Sequence, residues 1–153
     1  MQSLDRKDLR ILDLLQQDAT LPINDIAEAV GLSRTPCWRR VRELEKSGYI
    51  RKRVALLDRT LLGVPISVFV AVKTDQHNAK WLSQFRDAVN ALPEIVEAYR
   101  LSGETDYLLR ILVRDIEGFD KVYKKLIELV DFSDVSSSFS MEELKCTTAI
   151  PLA

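Results

Sequence analysis

Between Arg34 and Arg53 the chain carries eight Lys/Arg (34, 39, 40, 42, 46, 51, 52 and 53) against two acids, Glu43 and Glu45. That is a local net of +6 in a protein whose overall charge is −1. A concentrated positive field on a near-neutral protein attracts phosphate without making the whole surface adhesive. Arg39, Arg42 and Lys46 recur at i, i+3, i+7 and would share one helical face, while Cys37, Val41 and Leu44, at i, i+4, i+7, would form a separate apolar one. Thr35 and Trp38 fall near the N-terminal end of the exposed surface, beside Arg34. Such a helix can lie on a core by one side and on duplex DNA by the other. The expected DNA contacts on it are Arg34, Thr35, Trp38, Arg39, Arg42 and Lys46, with Arg51, Lys52 and Arg53 on the phosphate backbone. The plain alternative is a solvated amphipathic helix, which is what most charge runs are. Trp38 admits two readings: against sugar or a thymine methyl, or packed between helices.

Other chemistries find no support. One histidine and two distant cysteines, Cys37 and Cys146, offer neither a metal-ligand cluster nor a disulfide framework. There is no Ser/His/Asp set, phosphate loop or glycine-rich dinucleotide motif. No catalytic residue, metal or cofactor is therefore expected, and an enzyme is the disfavoured class. Cys37 lies on the apolar stripe and reads as a core thiol rather than a redox switch. His77 reads as a solvated turn residue.

The elements that must position the basic helix are legible around it. Asp5 reads as a helix cap with Asp8 three residues on, and Leu4 and Leu9 as a hydrophobic staple. Leu12 and Leu15, with Ile11 beside them, make a buried stripe ending near Asp18. Ile23, Ile26, Ala27 and Val30 define a short second helix. Gly31 gives the freedom a tight turn needs; Ser33 or Thr35 caps the third helix, with Pro36 in its first turn. Short helix, tight turn and second helix with a polar outer face make a helix-turn-helix. Tyr49-Ile50, the basic tip 51–53 and Val54 to Leu57 suggest two short strands forming a wing, so a DNA-binding domain would occupy residues 1–58.

Residues 59–65, with Gly63 and Pro65, read as a linker. Beyond it the periodicity changes. Ile66, Val68, Val70 and Val72 alternate as a strand; Leu82, Phe85, Val89 and Leu92 are helical. Residues 95–102 and 106–113 read as strands around a Gly103-Glu104-Thr105 turn. Asp115 caps a helix bearing Phe119, Val122, Tyr123, Leu126 and Val130. Val135, Ser137, Phe139 and Met141 alternate again, and a short closing strand is expected near Cys146 to Ile150. The order βαββαβ is the split, ferredoxin-like unit, so residues 66–153 read as an α+β sandwich. Both of its helices should cover one sheet face. Because the first strand is also apolar at Phe69 and Ala71, the other face should pack on a second subunit's sheet.

The 153 residues are 46% hydrophobic and 29% charged, enough for one domain or two small ones. No apolar run reaches membrane-span length. Residues 1–8 have no apolar core behind their charges, so no signal peptide is read. A cytoplasmic protein is expected. Residues 1–60 carry 12 basic and 9 acidic side chains, residues 61–153 10 and 14, which suggests two parts with different partners.

These features together resemble one family. Gly-Leu-Ser-x-Thr-Pro-Cys-x-x-Arg-Val-x-x-Leu-Glu-x-x-Gly-x-Ile at 31–50, Leu-Asp-Arg-x-x-x-x-Ile-Leu at 4–12, Ala-Leu-Leu-Asp at 55–58 and Ser-Gly-Glu-Thr-Asp-Tyr-Leu-Leu at 102–109 are similar to the Lrp/AsnC (leucine-responsive, or feast/famine) transcriptional regulators. Arg34 departs from a common proline, and Glu104-Thr105 from commoner small or aromatic residues. The resemblance implies a winged helix-turn-helix followed by a ferredoxin-like domain, with dimers through the C-terminal sheets that often assemble into octamers. It also implies an amino acid or related effector bound between C-terminal domains near Ser102, Gly103, Glu104, Thr105, Asp106 and Tyr107. There Asp106 could hold an ammonium group, or only cap its own turn. The serines at 136, 137, 138 and 140 could line a pocket, but a strand with one solvated face is preferred. The functional reading is an effector-responsive DNA-binding transcription regulator. An architectural DNA-binding protein that senses nothing is the alternative.

Overall fold

A computed structural model describes residues 4–152; Met1 to Ser3 of the stretch read against a signal peptide lie outside it. The chain divides into two compact units. One comprises the residues up to Leu56 together with those from Lys145 on; the other is Leu57–Leu144.

The first unit begins with three helices, α1 (Arg6–Gln17), α2 (Ile23–Ala29) and α3 (Arg34–Lys46). Helix α1 starts on the expected capping box: Asp5 accepts from the Asp8 N–H at 2.8 Å, and the Asp8 carboxylate accepts from the Asp5 N–H at 3.1 Å. Gly31, at φ 62°, makes the turn between α2 and α3, a backbone conformation that L side chains avoid. Ser33 is the cap residue of α3 by position, although its side chain makes no capping hydrogen bond. Ile11, Leu15, Ile26, Ala27, Val30, Cys37, Val41 and Leu44 form the core. The predicted stripe of α3 is thus its buried side.

Two expected strand segments are absent. Residues 49–58 form no strand. Segments of two and four residues bury too little to hold a ribbon alone, and Val54, Leu56 and Leu57 stay exposed. The closing strand near Cys146 to Ile150 is also missing. This tail instead joins the helical unit, where the Gln16 side-chain amide donates to the Ile150 carbonyl at 3.0 Å and accepts from its N–H at 2.8 Å. A side-chain amide has the donor and acceptor of a peptide group, so it satisfies the tail as a neighbouring strand would.

In the second unit, residues 59–63 form a turn rather than an open linker. Asp58 accepts from the Thr60 and Leu61 N–H groups, and Val64 N–H closes on the Arg59 carbonyl at 2.9 Å. Then follow β1 (Ile66–Lys73), α4 (Ala79–Ala91), β2 (Ile95–Arg100), β3 (Tyr107–Val113), α5 (Ile116–Leu129) and β4 (Asp134–Phe139). The sheet is antiparallel throughout, in the order β2-β3-β1-β4, which is the ferredoxin-like arrangement. Alternation sends Val68, Val70 and Val72 of β1, with Tyr107, Leu109, Ile111 and Val113 of β3, into one core with Trp81, Phe85, Val122 and Leu126 of the helices. Both helices therefore cover one face. Asn78 and Asp115 cap them, each accepting from the N–H three residues on.

The open face carries Ser67, Phe69, Ala71 and Lys73 of β1 opposite Ser138, Ser136 and Asp134 of β4 and Leu112, Arg110 and Leu108 of β3. Arg110 organises it, donating to Ser67, to Glu97 at 2.9 Å and to Glu143 at 3.3 Å. Ser136 and Ser138 are exposed on it, the solvated strand face preferred above.

Candidate nucleic-acid interface and effector turn

Helix α3 presents Arg34, Thr35, Trp38, Arg39, Arg42 and Lys46 to the exterior, opposite its buried stripe, and Arg51, Lys52 and Arg53 are exposed after it. The cations are not equivalent. Arg40, from the same run, donates to Asp5 at 2.6 Å and Asp8 at 2.7 Å, locking α3 onto the start of α1. The hydrogen bonds to Asp8 and Asp5 hold its guanidinium protonated beyond the usual range. The Asp8 N–H, then Arg40, holds the Asp5 carboxyl below its ordinary value. Glu45 accepts from Arg42 at 3.4 Å and Arg53 at 3.1 Å, and Arg53 also donates to the Ala19 carbonyl at 3.0 Å. Arg53 is thus partly a brace fixing the segment after α3 to the α1–α2 connection. By contrast Arg34, Arg39, Lys46, Arg51 and Lys52 make no ion pair with the described residues. Cys37 is buried, and loss of water raises its thiol pKa, as fits a core thiol.

Trp38 is 52% exposed and outside the core, so of its two readings the outward one fits. The Arg42 guanidinium carbon lies 5.9 Å from its ring centroid, within cation–π range.

The turn between β2 and β3 depends on Gly103 at φ 122°. It is tied to the end of β1 at several points. Asp106 N–H donates to the Val72 carbonyl at 3.1 Å, the Asp106 carboxylate accepts from the Thr74 N–H at 2.8 Å, and Lys73 pairs with Glu104 at 2.9 Å. The hydrogen bond from Lys73 lowers the Glu104 carboxyl and raises the Lys73 ammonium. Ser102, Gly103 and Glu104 are exposed; Thr105 and Asp106 are half-buried. Tyr107 corrects the expectation of a contact on the turn's surface. The β3 alternation turns its ring into the core, 9% exposed, at 4.6 Å from Phe85 and 5.5 Å from Trp81. Lys73 was missed by the sequence reading, because only strand pairing brings it beside Glu104, 31 residues away. His77 is exposed beyond β1, as a solvated residue should be. No group of three or more His, Cys, Asp or Glu among the described residues could hold a metal ion.

A helix-turn-helix with an outward basic helix, joined to a ferredoxin-like sandwich, defines a DNA-binding protein with a separate regulatory unit. The "winged helix-turn-helix DNA-binding" description matches residues 4–51, and the "Lrp/AsnC ligand binding domain" matches 67–150. The glutamate uptake regulatory protein of Zymomonas mobilis is 48% identical over 99% of this chain and 93% of its own. The DNA-binding transcriptional activator DecR of Escherichia coli is 44% identical over 97% and 99%. Among solved structures, an AsnC family transcriptional regulator from Agrobacterium tumefaciens superposes with a TM-score of 0.94 at 49% identity, covering 97% of each chain. A Neisseria meningitidis transcriptional regulator in complex with L-Met superposes at 0.92 and 34% identity, over 98% and 97%. The chain belongs to the Lrp/AsnC family of DNA-binding transcriptional regulators, whose members are not enzymes. No helix among the described residues is long and apolar enough to cross a membrane.

Proposed function

We propose that this regulator grips duplex DNA through the outer face of α3, with Arg34, Thr35, Trp38, Arg39 and Arg42 in the major groove, Lys46 at the edge of that face on phosphate, and residues 51–53 along the backbone. An amino acid or related molecule bound at the C-terminal part would modulate that grip. The observation that carries the reading is the set of cations on α3 and after it without ion-pair partners among the described residues, beside Arg40, Arg42 and Arg53, which are paired. Functionally, residues 1–58 read DNA, 59–65 connect, and 66–153 bind the effector and assemble subunits. A protein that acts on DNA in this way would work in the cytoplasm.

The effector would lie over the Ser102–Asp106 turn. Lys73 and Glu104 form an exposed zwitterionic pair, complementary to the two charged ends of an amino acid, and Asp106 keeps one carboxylate oxygen beyond its bond to Thr74. The L-Met complex of the Neisseria relative supports this ligand class. A homodimer would form across the open sheet face, where Phe69 is 38% and Tyr99 52% exposed. Octamers are the further assembly that the family resemblance implies.

Thermal-shift measurements with the twenty amino acids, followed by titration of bound DNA with any that stabilise, test the reading. At least one should raise the melting temperature and change DNA affinity. If none does while DNA still binds, the protein is an architectural DNA-binding protein. Light scattering should show at least a dimer, reduced in size by Phe69→Glu.

A further inference from the structure

We propose that Trp38 is a specificity-determining residue that seats against the C5-methyl group of a thymine in the major groove. The proposal rests on the reading of α3 as the DNA-facing helix and adds what one of its residues recognises.

The molecule's two tryptophans are used differently. Trp81 is 3% exposed, stacked on Phe85 at 5.1 Å, and its indole N–H donates to the Asp131 carbonyl at 2.8 Å. Trp38 is half exposed and has none of this support. It lies one helical turn after Thr35 and one before Arg42, beside Arg39, so the exposed part of its ring is flanked by polar and cationic residues of the same helix. A large apolar ring left in water amid positive charge suits a partner that is anionic yet offers an apolar group at close range. Duplex DNA offers one methyl group in the major groove, that of thymine, among base-edge features that are chiefly donors and acceptors. The phosphates are matched by the free cations nearby, a task an indole cannot share.

The ring is also held ready. Arg42 lies over it at 5.9 Å from the centroid and is itself held by Glu45. The indole forms one wall of a notch lined by Leu21, Ile23, Ile26 and Val41 together with Arg42, Arg53 and the Glu45 that pairs with both. An apolar recess whose one acid is paired to its two arginines is a place a methyl-bearing base edge fits. A stiff aromatic side chain with two rotatable bonds also loses little freedom on contact.

The test uses duplexes selected by the full chain from a randomised pool. Each thymine is replaced singly by deoxyuridine, which removes the methyl and keeps every pairing and hydrogen-bonding group. At one or more positions the replacement should weaken wild-type binding about fourfold, the effect of exposing one methyl-sized apolar group. Trp38→Ala should bind the thymine duplex more weakly and be indifferent to that replacement, whereas Trp38→Phe should retain part of the discrimination. Because Trp38 lies outside the core, the variants should melt as the wild type does. The proposal is overturned if no deoxyuridine weakens the wild type, or if Trp38→Ala keeps the same sensitivity. Should Arg39→Ala and Lys46→Ala also leave binding unchanged, the helix is not the DNA surface and both readings fall together. If those two weaken binding while deoxyuridine does nothing, only the thymine assignment falls.

Discussion

The two charged surfaces of this protein are built on opposite plans. On and after α3, five cations stand without ion-pair partners among the described residues, while three nearby acids are spent on bracing: Asp5 and Asp8 on Arg40, Glu45 on Arg42 and Arg53. At the β2–β3 turn each charge is answered inside the chain, Glu104 by Lys73 and Asp106 by the Thr74 amide. The first surface presents a standing demand for anions that only a partner can meet. The second is already satisfied and can exchange its internal partners for a ligand's. A surface with free charge binds strongly and in a salt-dependent way. An ion pair such as Lys73–Glu104 is opened only by what replaces both of its ends, which suits a reversible effector.

The largest effect should come from the free-charge side. Arg39→Ala removes an unpaired guanidinium from the centre of the α3 face. If it reads a base edge, specific DNA binding should weaken by roughly 1–3 kcal/mol and sequence preference should relax, measured by fluorescence anisotropy on matched and mismatched duplexes. Arg40→Ala offers the contrast. Its loss should act through stability, because Arg40 is engaged with α1, and should not change which bases are preferred.

Next comes the satisfied side. Asp106→Ala should abolish a coupling that typically amounts to about 1–3 kcal/mol between effector and DNA, leaving DNA affinity without effector nearly intact. It also strands the Thr74 N–H, so urea denaturation should show a further loss of about 1–3 kcal/mol. Asp106→Asn keeps an acceptor for that amide. A recovery of stability without recovery of the response would separate the two tasks of the carboxylate. If both variants respond normally, the ammonium group is held elsewhere.

A smaller effect is expected at the edge of the basic face. Lys46→Ala should weaken all sequences alike and lower the slope of log affinity against log salt by about one, because a lysine near phosphate contributes charge rather than readout. A change in base preference instead would place Lys46 in the groove.

The sequence showed the first surface better than the second, for a physical reason. Helical periodicity is local, so the Cys37/Val41/Leu44 stripe identified the buried side of α3 and, by exclusion, its outer residues. The Asp5/Asp8 capping box and the alternation of β1 and β3 were legible for the same reason. What failed depended on partners distant in sequence. Thr147, Ala149 and Ile150 look like strand residues, yet the tail is taken up by Gln16, 134 residues from Ile150. Val54 to Leu57 has strand composition, but none of the described residues pairs with it as a strand. Tyr107 lay beside the motif that suggested an effector contact, while its place in the β3 alternation made it core. The sharing of Arg53 between Glu45 and Ala19 and of Glu104 with Lys73 leaves no pattern in the sequence.

The smallest effect concerns the Lys73–Glu104 pair itself, and it bears most directly on whether the turn's charges are satisfied. Both side chains are at the surface, where an ion pair contributes little to stability and is screened by salt. Its clearest signature is therefore a titration. The hydrogen bond and field of Lys73 hold the Glu104 carboxyl below its ordinary value, so the pair's contribution is complete above the unfolded-state value and is lost as pH falls through the depressed one. Lys73→Met removes the cause while keeping an extended apolar stem. Carbon-detected NMR should then show the Glu104 carboxyl titrating higher than in the wild type, with the fold unchanged. Saturating effector gives the second half of the measurement. A ligand that takes Lys73 with its carboxylate and Glu104 with its ammonium keeps Glu104 opposite a positive charge, so in the wild type its titration should stay low. In Lys73→Met, the effector should bring the raised carboxyl back down, because its ammonium now supplies the missing cation. If the Glu104 titration is the same with and without Lys73, the pair does not form in solution. The turn would then carry free charge like α3, and the contrast between the two surfaces would disappear.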